Sequence, residues 1–133
     1  MSGKAKGRKD AEQVARYADM FSAMGTEPRL RIVQLLLTAH PTGLVVGEIQ
    51  KELGIPNSTL SHHLDKLKNE DLVNVRREGT FLCYTANTGA LQELLAFLYA
   101  ECCTRTPGGD RPLLTNINML AGPIPAARRN HER

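Results

Sequence analysis

Three cysteines are the side chains of this 133-residue sequence best suited to chemistry. Cys102 and Cys103 are adjacent in the stretch AECC, and Cys83 lies in TFLCYTAN. A thiolate can act as a nucleophile, a redox centre or a ligand for a soft ion. An odd number of thiols cannot all pair within one chain, and in a reducing compartment free thiols or metal ligands are expected over a disulfide framework. The pair at 102–103 is therefore open to three readings: packing, a redox switch, or a soft-metal site. Free cysteine is a common core residue, which is the ordinary reading of Cys83 taken alone. Two adjacent thiols at a helix end are harder to assign to packing, since leucine or alanine would serve there equally well. No nucleophile–base pairing, phosphate loop or carboxylate pair accompanies them, so an enzyme is not expected.

A second group of residues could read nucleic acid. In NSTLSHHLDKLKNEDLV, Leu60, Leu64 and Leu67 share one helical stripe and would anchor a helix to a core. Asn57, Ser58, Thr59, Ser61 and His62 then fall at its start or on its open side. Such short hydrogen-bonding side chains let a helix sit deep in a major groove, and a helix-turn-helix contacts bases chiefly with the start of its second helix. Arg76 and Arg77, near a hairpin tip, would reach a flanking backbone or minor groove. The alternative for the whole segment is a solvated polar face.

These groups need elements to hold them. Residues 1–9, with Lys4, Lys6, Arg8 and Lys9, read as a flexible basic arm. Val14, Tyr17, Ala18, Phe21 and Met24 recur at helical spacing, Gly25 ends that helix, and Thr26 can cap a second with Leu30, Val33, Leu36 and Leu37 on its apolar face. HPTG at 40–43 is a loop. Two short helices are expected at about 45–53 and 57–69, turned by Gly54 and Pro56, with Asn57 as N-cap. The period then changes to two around RREG, the mark of a β-hairpin with Gly79 in its turn. Asn87 or Thr88 can cap a last helix bearing Leu91, Leu94, Leu95 and Leu98, roughly 20–24 Å long, with Cys102 continuing the face of Leu91, Leu95 and Leu98. Residues 104–133 hold scattered Pro and Gly and read as an irregular tail. The fold class expected is mainly α with a β-hairpin wing, a winged helix-turn-helix domain over residues 10–103. No apolar run approaches the roughly 20 residues of a membrane span, and the basic start lacks the apolar core of a secretory signal. A cytoplasmic location follows as the expectation. A net charge of +3 permits nucleic-acid binding without requiring it.

MGTEPRLRIVQLL, LGIPNSTLSHHLDKL and LVNVRREGTFLCYT, within residues 12–103, resemble consecutive parts of the ArsR/SmtB family of metalloregulatory repressors. The resemblance implies a homodimer that binds double-stranded operator DNA through its winged helix and releases it when a metal or metalloid ion binds. It places Ser58, Thr59, Ser61 and His62 towards DNA and gives His63 a packing role. Pro56 departs from the family's usual serine or threonine cap. Arsenic-sensing members often carry a cysteine pair at the helix before the turn, but GLVVGEIQ has no thiol there. Zinc-sensing members use Asp, His and Glu on the last helix, and TGALQELLAFLYAE contains no Asp or His. The ligands left are Cys83, Cys102 and Cys103, an arsenic-responsive type with a non-standard site. Trivalent arsenic, inorganic or organic, and antimony suit such thiolates; mercury or cadmium could also be accommodated. No organic cofactor is expected. If final helices pair antiparallel about a two-fold, Cys102 or Cys103 of one subunit approaches Cys83 of the other. Two rivals stand beside this reading: a thiol redox-sensing repressor joining Cys83 to Cys102 or Cys103, and a winged helix kept for protein interaction, which would bind duplex weakly.

Overall fold

The computed structural model describes residues 2–105 and 107. Its elements run α1 (Ser2–Met24), α2 (Glu27–Thr38), β1 (Leu44–Val45), α3 (Val46–Leu53), α4 (Asn57–Asn69), β2 (Val73–Glu78), β3 (Phe81–Ala86) and α5 (Thr88–Tyr99). The expected winged helix-turn-helix order is present, with a three-stranded rather than two-stranded wing sheet. Among the described residues no helix is long and apolar enough to cross a membrane. The chain divides into two compact units, residues 1–90 and residues 91–133. The tail expected from residue 104 lies almost wholly outside the described residues.

In the first unit α1 packs on α2 and α4, and α2 also meets α3, α4 and β3. The core between them is apolar: Ile32, Leu36, Ile49, Leu60, Leu67 and Leu72 are fully buried, and among the described residues no polar or charged side chain is buried with them. Helix ends follow local chemistry. The Thr26 hydroxyl accepts from the Arg29 N–H at 3.4 Å and starts α2. The Glu48 carboxylate accepts from the Val45 N–H and ties the start of α3. Gly54, at φ +66°, ends that helix with its N–H on the Gln50 carbonyl. α4 closes in a Schellman-type turn, Leu72 N–H to Leu67 carbonyl, with Asp71 at φ +61°.

Several expectations shift in detail. α1 starts at Ser2 and so runs through the segment expected to be an arm. Pro56, not Asn57, occupies the N-cap of α4, and no side chain caps that helix. On α2, Ile32 replaces Leu30 and Leu37 on the buried face; those two leucines are exposed. α5 stops at Tyr99, giving about 18 Å of helix. Cys102 therefore lies in the turns beyond it, with its N–H on the Tyr99 carbonyl.

The sheet order is β1-β3-β2, all antiparallel, so β3 is the central strand. Gly79, at φ +65°, supplies the positive φ that the two-residue hairpin turn requires. Asn87 joins the sheet to its neighbours. Its N–H donates to the Leu72 carbonyl and its Nδ2 to the Asp71 carbonyl, while Oδ1 accepts from the Ala90 N–H to begin α5.

Burial on α4 should divide its residues sharply. Leu64→Ala is expected to lower unfolding stability by about 2–5 kcal/mol. Ser61→Ala, one turn away on the exposed face, should stay within about 0.5 kcal/mol of the parent. Urea titration followed by far-ultraviolet circular dichroism measures both.

Candidate nucleic-acid interface and thiol groups

Leu60, Leu64 and Leu67 are at most 1 % exposed, and this stripe sets the rotation of α4. Asn57, Ser58, Thr59, Ser61 and His62 are in consequence all exposed. Because Pro56 offers no capping side chain, the N–H groups of the first turn keep their capacity for an outside acceptor such as a phosphate oxygen. Lys66 and Lys68 sit in the last turn, where the helix dipole favours positive charge.

His63 behaves differently from His62. It is half-buried, with Nδ1 3.3 Å from Arg29 Nη1. A guanidinium only donates, so Nδ1 is the acceptor and the proton of the neutral ring belongs on Nε2. Burial first, then the Arg29 charge, then His62, lower the pKa of His63 below its ordinary value. Arg29 also donates Nε to the Ala23 carbonyl. It thereby links the end of α1, the start of α2 and the middle of α4. Arg16 makes a second bridge, to Glu70 at 3.5 Å and Asp71 at 2.9 Å.

Arg76 and Arg77 both lie exposed on β2, but Arg76 has two donors committed inside the chain. Nε meets Glu78 Oε2 at 2.7 Å and Nη2 meets the Thr42 carbonyl at 2.9 Å. Directly opposite Arg76 on β3 is Cys83, 4 % exposed, whose thiol donates to the same Thr42 carbonyl at 3.4 Å. Cys83 belongs to the first unit and the other two thiols to the second. Cys102 is half-buried and Cys103 exposed at φ +65°, with their Sγ atoms 3.1 Å apart. Among the described residues no three His, Cys, Asp or Glu side chains gather as a metal-binding cluster.

Sequence reasoning missed Arg29, Thr42 and Gly43. A backbone carbonyl leaves no mark in a sequence, and Gly43 was legible only as a loop glycine. Nothing about the spacing of Arg29 from His63 signals that they meet.

A helix-turn-helix domain family matches residues 24–76. The transcriptional activator HlyU of Vibrio cholerae is 33% identical over 89 residues, 67% of this chain and 80% of that protein. Its solved structure superposes with a TM-score of 0.53 over 66% of this chain and 96% of that one, at 37% identity. ArsR2 of Halobacterium salinarum, named for arsenical resistance operon repression, is 30% identical over 67% of this chain and 76% of its own. The homodimeric winged helix-turn-helix DNA-binding domain of Mb0332 from Mycobacterium bovis, described as an ArsR-family candidate, has a TM-score of 0.55 at 28% identity, covering 70% of this chain and 89% of that one.

The lowered pKa of His63 ties stability to pH. The unfolded chain titrates near the ordinary 6.5, whereas the fold favours the neutral ring. Below about pH 6.5 the unfolded state therefore binds more protons, and stability falls with pH until the depressed folded pKa is passed. Urea midpoints between about pH 8 and about pH 5 should fall more steeply for the parent than for His63→Gln. Parallel slopes would remove His63 as the cause.

Proposed function

This chain belongs to the ArsR family of helix-turn-helix transcriptional regulators, which are DNA-binding proteins and not enzymes, and we propose that it is a homodimeric, metalloid-responsive repressor. One observation carries the DNA-binding half: the buried leucine stripe of α4 leaves Ser58, Thr59, Ser61 and His62 together on an open face. Two copies of α4 enter successive major grooves about one helical turn apart. Ser61 and His62 reach base edges, Asn57 and the first-turn N–H groups meet phosphate, and Arg76 and Arg77 follow the adjacent backbone or minor groove. Homodimerisation is supported by the homodimeric relative and by apolar surface left exposed on α1 and α5, where Phe21, Leu95, Leu98 and Tyr99 are 37–58 % exposed.

The effector is a trivalent arsenic or antimony species held by Cys83 and Cys102, with Cys103 as third ligand, the site shared between subunits. Support comes from the chemistry of the donors. Thiolates select thiophilic ions, and the 3.1 Å approach of the Cys102 and Cys103 sulfurs leaves two thiols in reach of one atom. The kinship with ArsR2, named for arsenical resistance, points the same way. An effector bound more tightly to the DNA-free than to the DNA-bound dimer releases the operator by that difference.

Fluorescence anisotropy on a palindromic duplex tests both halves. Ser61→Ala and His62→Ala should each weaken binding by about 1–3 kcal/mol without loss of fold; unchanged affinity in both would remove α4 from base reading. Arsenite or a monomethyl trivalent arsenical should release the duplex, and Cys83→Ser and Cys102→Ser should abolish the release. Release by peroxide alone would make the thiols a redox switch.

A further inference from the structure

The most tightly constrained backbone beside the wing is Thr42–Gly43, in the loop joining α2 to β1. The Thr42 carbonyl accepts two hydrogen bonds, one from the Cys83 thiol and one from Arg76 Nη2. Those donors face each other directly across the β2–β3 ladder. Gly43, at φ +87°, presses on the same strand so closely that a Cβ there would lie 2.6 Å from the Tyr84 carbonyl oxygen and 2.9 Å from Cys83 Sγ. Side-chain motion cannot relieve the Tyr84 contact, because the oxygen is main chain and the backbone fixes where a Cβ would stand. The space against Cys83 on the Gly43 side is therefore already filled. A groove of about 620 Å³ opens beside it, lined by His40, Thr42, Glu48, Arg76, Glu78 and Cys83.

We propose that the Thr42 carbonyl is the relay between Cys83 and the wing: a group attached to the Cys83 sulfur displaces the Thr42–Gly43 loop and thereby unfastens Arg76. The arsenical version rests on the reading of Cys83 as an effector ligand; the relay itself needs only Cys83, Thr42 and Arg76. With a trivalent arsenical bearing hydroxide, the Cys83 S–H bond breaks and an S–As bond forms. The thiol proton leaves with the displaced hydroxide as water, and arsenic keeps its oxidation state. Two things follow at once. The sulfur has no hydrogen left to donate to Thr42, and its new substituent competes with Gly43 for the same space. As the loop withdraws, Arg76 keeps Glu78 but loses its backbone acceptor, so the guanidinium is no longer fixed in direction. The wing then presents a different surface to DNA although Cys83 never touches DNA.

The test uses the full chain carrying Cys102→Ser and Cys103→Ser, so that Cys83 is the one thiol left. Methyl methanethiosulfonate adds a methylthio group to it, with methanesulfinate as leaving group. The expected result is labelling of Cys83 in the folded protein, faster amide exchange in residues 38–45 and 73–78, and a loss of duplex affinity of about fivefold or more. In an Arg76→Lys background, where an ammonium cannot reproduce the divergent bonds to Thr42 and Glu78, the ratio of unlabelled to labelled affinity should shrink towards one. Three outcomes would overturn the relay: labelling with unchanged exchange in both segments, an affinity ratio indifferent to Arg76→Lys, or no labelling of the folded chain under conditions that label it in urea. The monomethyl arsenical is run in parallel on the chain with all three cysteines. A response to the methylthio group but none to the arsenical upholds the relay and removes arsenic from the proposed function.

Discussion

A single stripe of three leucines decides what this protein can show to DNA. Leu60, Leu64 and Leu67 are spaced four and three apart, so they line one side of α4, and all three are buried. Full burial of a leucine is worth about 1.5–3 kcal/mol. The exposed ion pairs that also reach this end of the fold, from Arg16 to Glu70 and Asp71, are worth about 0–1 kcal/mol each. The leucines therefore set the rotation of the helix, and the ion pairs follow it. Once that rotation is set, Ser58, Thr59, Ser61 and His62 point outward, while His63 turns to Arg29.

The wing is organised around β3 in the same way. As the central strand it carries ladders on both edges, with Val45 on one side of Cys83 and Arg76 on the other. Cys83 is buried there, and Gly43 closes its loop side, leaving the groove beside it as the open direction. That tightness gives Cys83 its interest. On a mobile loop, modification of a sulfur is absorbed locally. Beneath a loop packed this closely, the proposed consequence is displacement of the loop, and the neighbour that shares its acceptor is a wing arginine. Cys102 and Cys103 are the opposite case, half-buried and exposed in turns after a helix. The proposed sensor thus combines accessible thiols with one whose occupation carries mechanical consequence.

Much of this was legible before the fold was known, wherever the signal was local. The helical periods of α1, α2 and α4, the switch to period two at the hairpin, Thr26 as a cap and Gly54 and Gly79 at positive φ are all short-range consequences of residue type, although α1 buries Met20 and Ala23 and leaves Val14, Ala18 and Phe21 of its expected stripe exposed. The failures are equally physical. β1 is two residues long and exists because β3 offers it an edge, so no alternation announces it. The apolar pattern of the last helix continued to Cys102, yet α5 ends at Tyr99 and the chain turns, although Ala100 and Glu101 are good helix formers. Leu30 and Leu37 read as core from their spacing, yet they are exposed on α2, since spacing identifies a stripe without saying which part of it finds a neighbour.

By itself the sequence determined the order of the helices and the hairpin, the face of α4 that turns outward, and the identity of the three thiols, because each depends on residue type and spacing alone. Tertiary structure decided which groups share an environment. It brought Arg29 to His63 across 34 positions, and it brought the Thr42 carbonyl to Cys83 across 41. Such meetings depend on how a loop is carried back against a sheet. No periodicity encodes that, and it is settled only when the core closes and each buried polar group must find its partner.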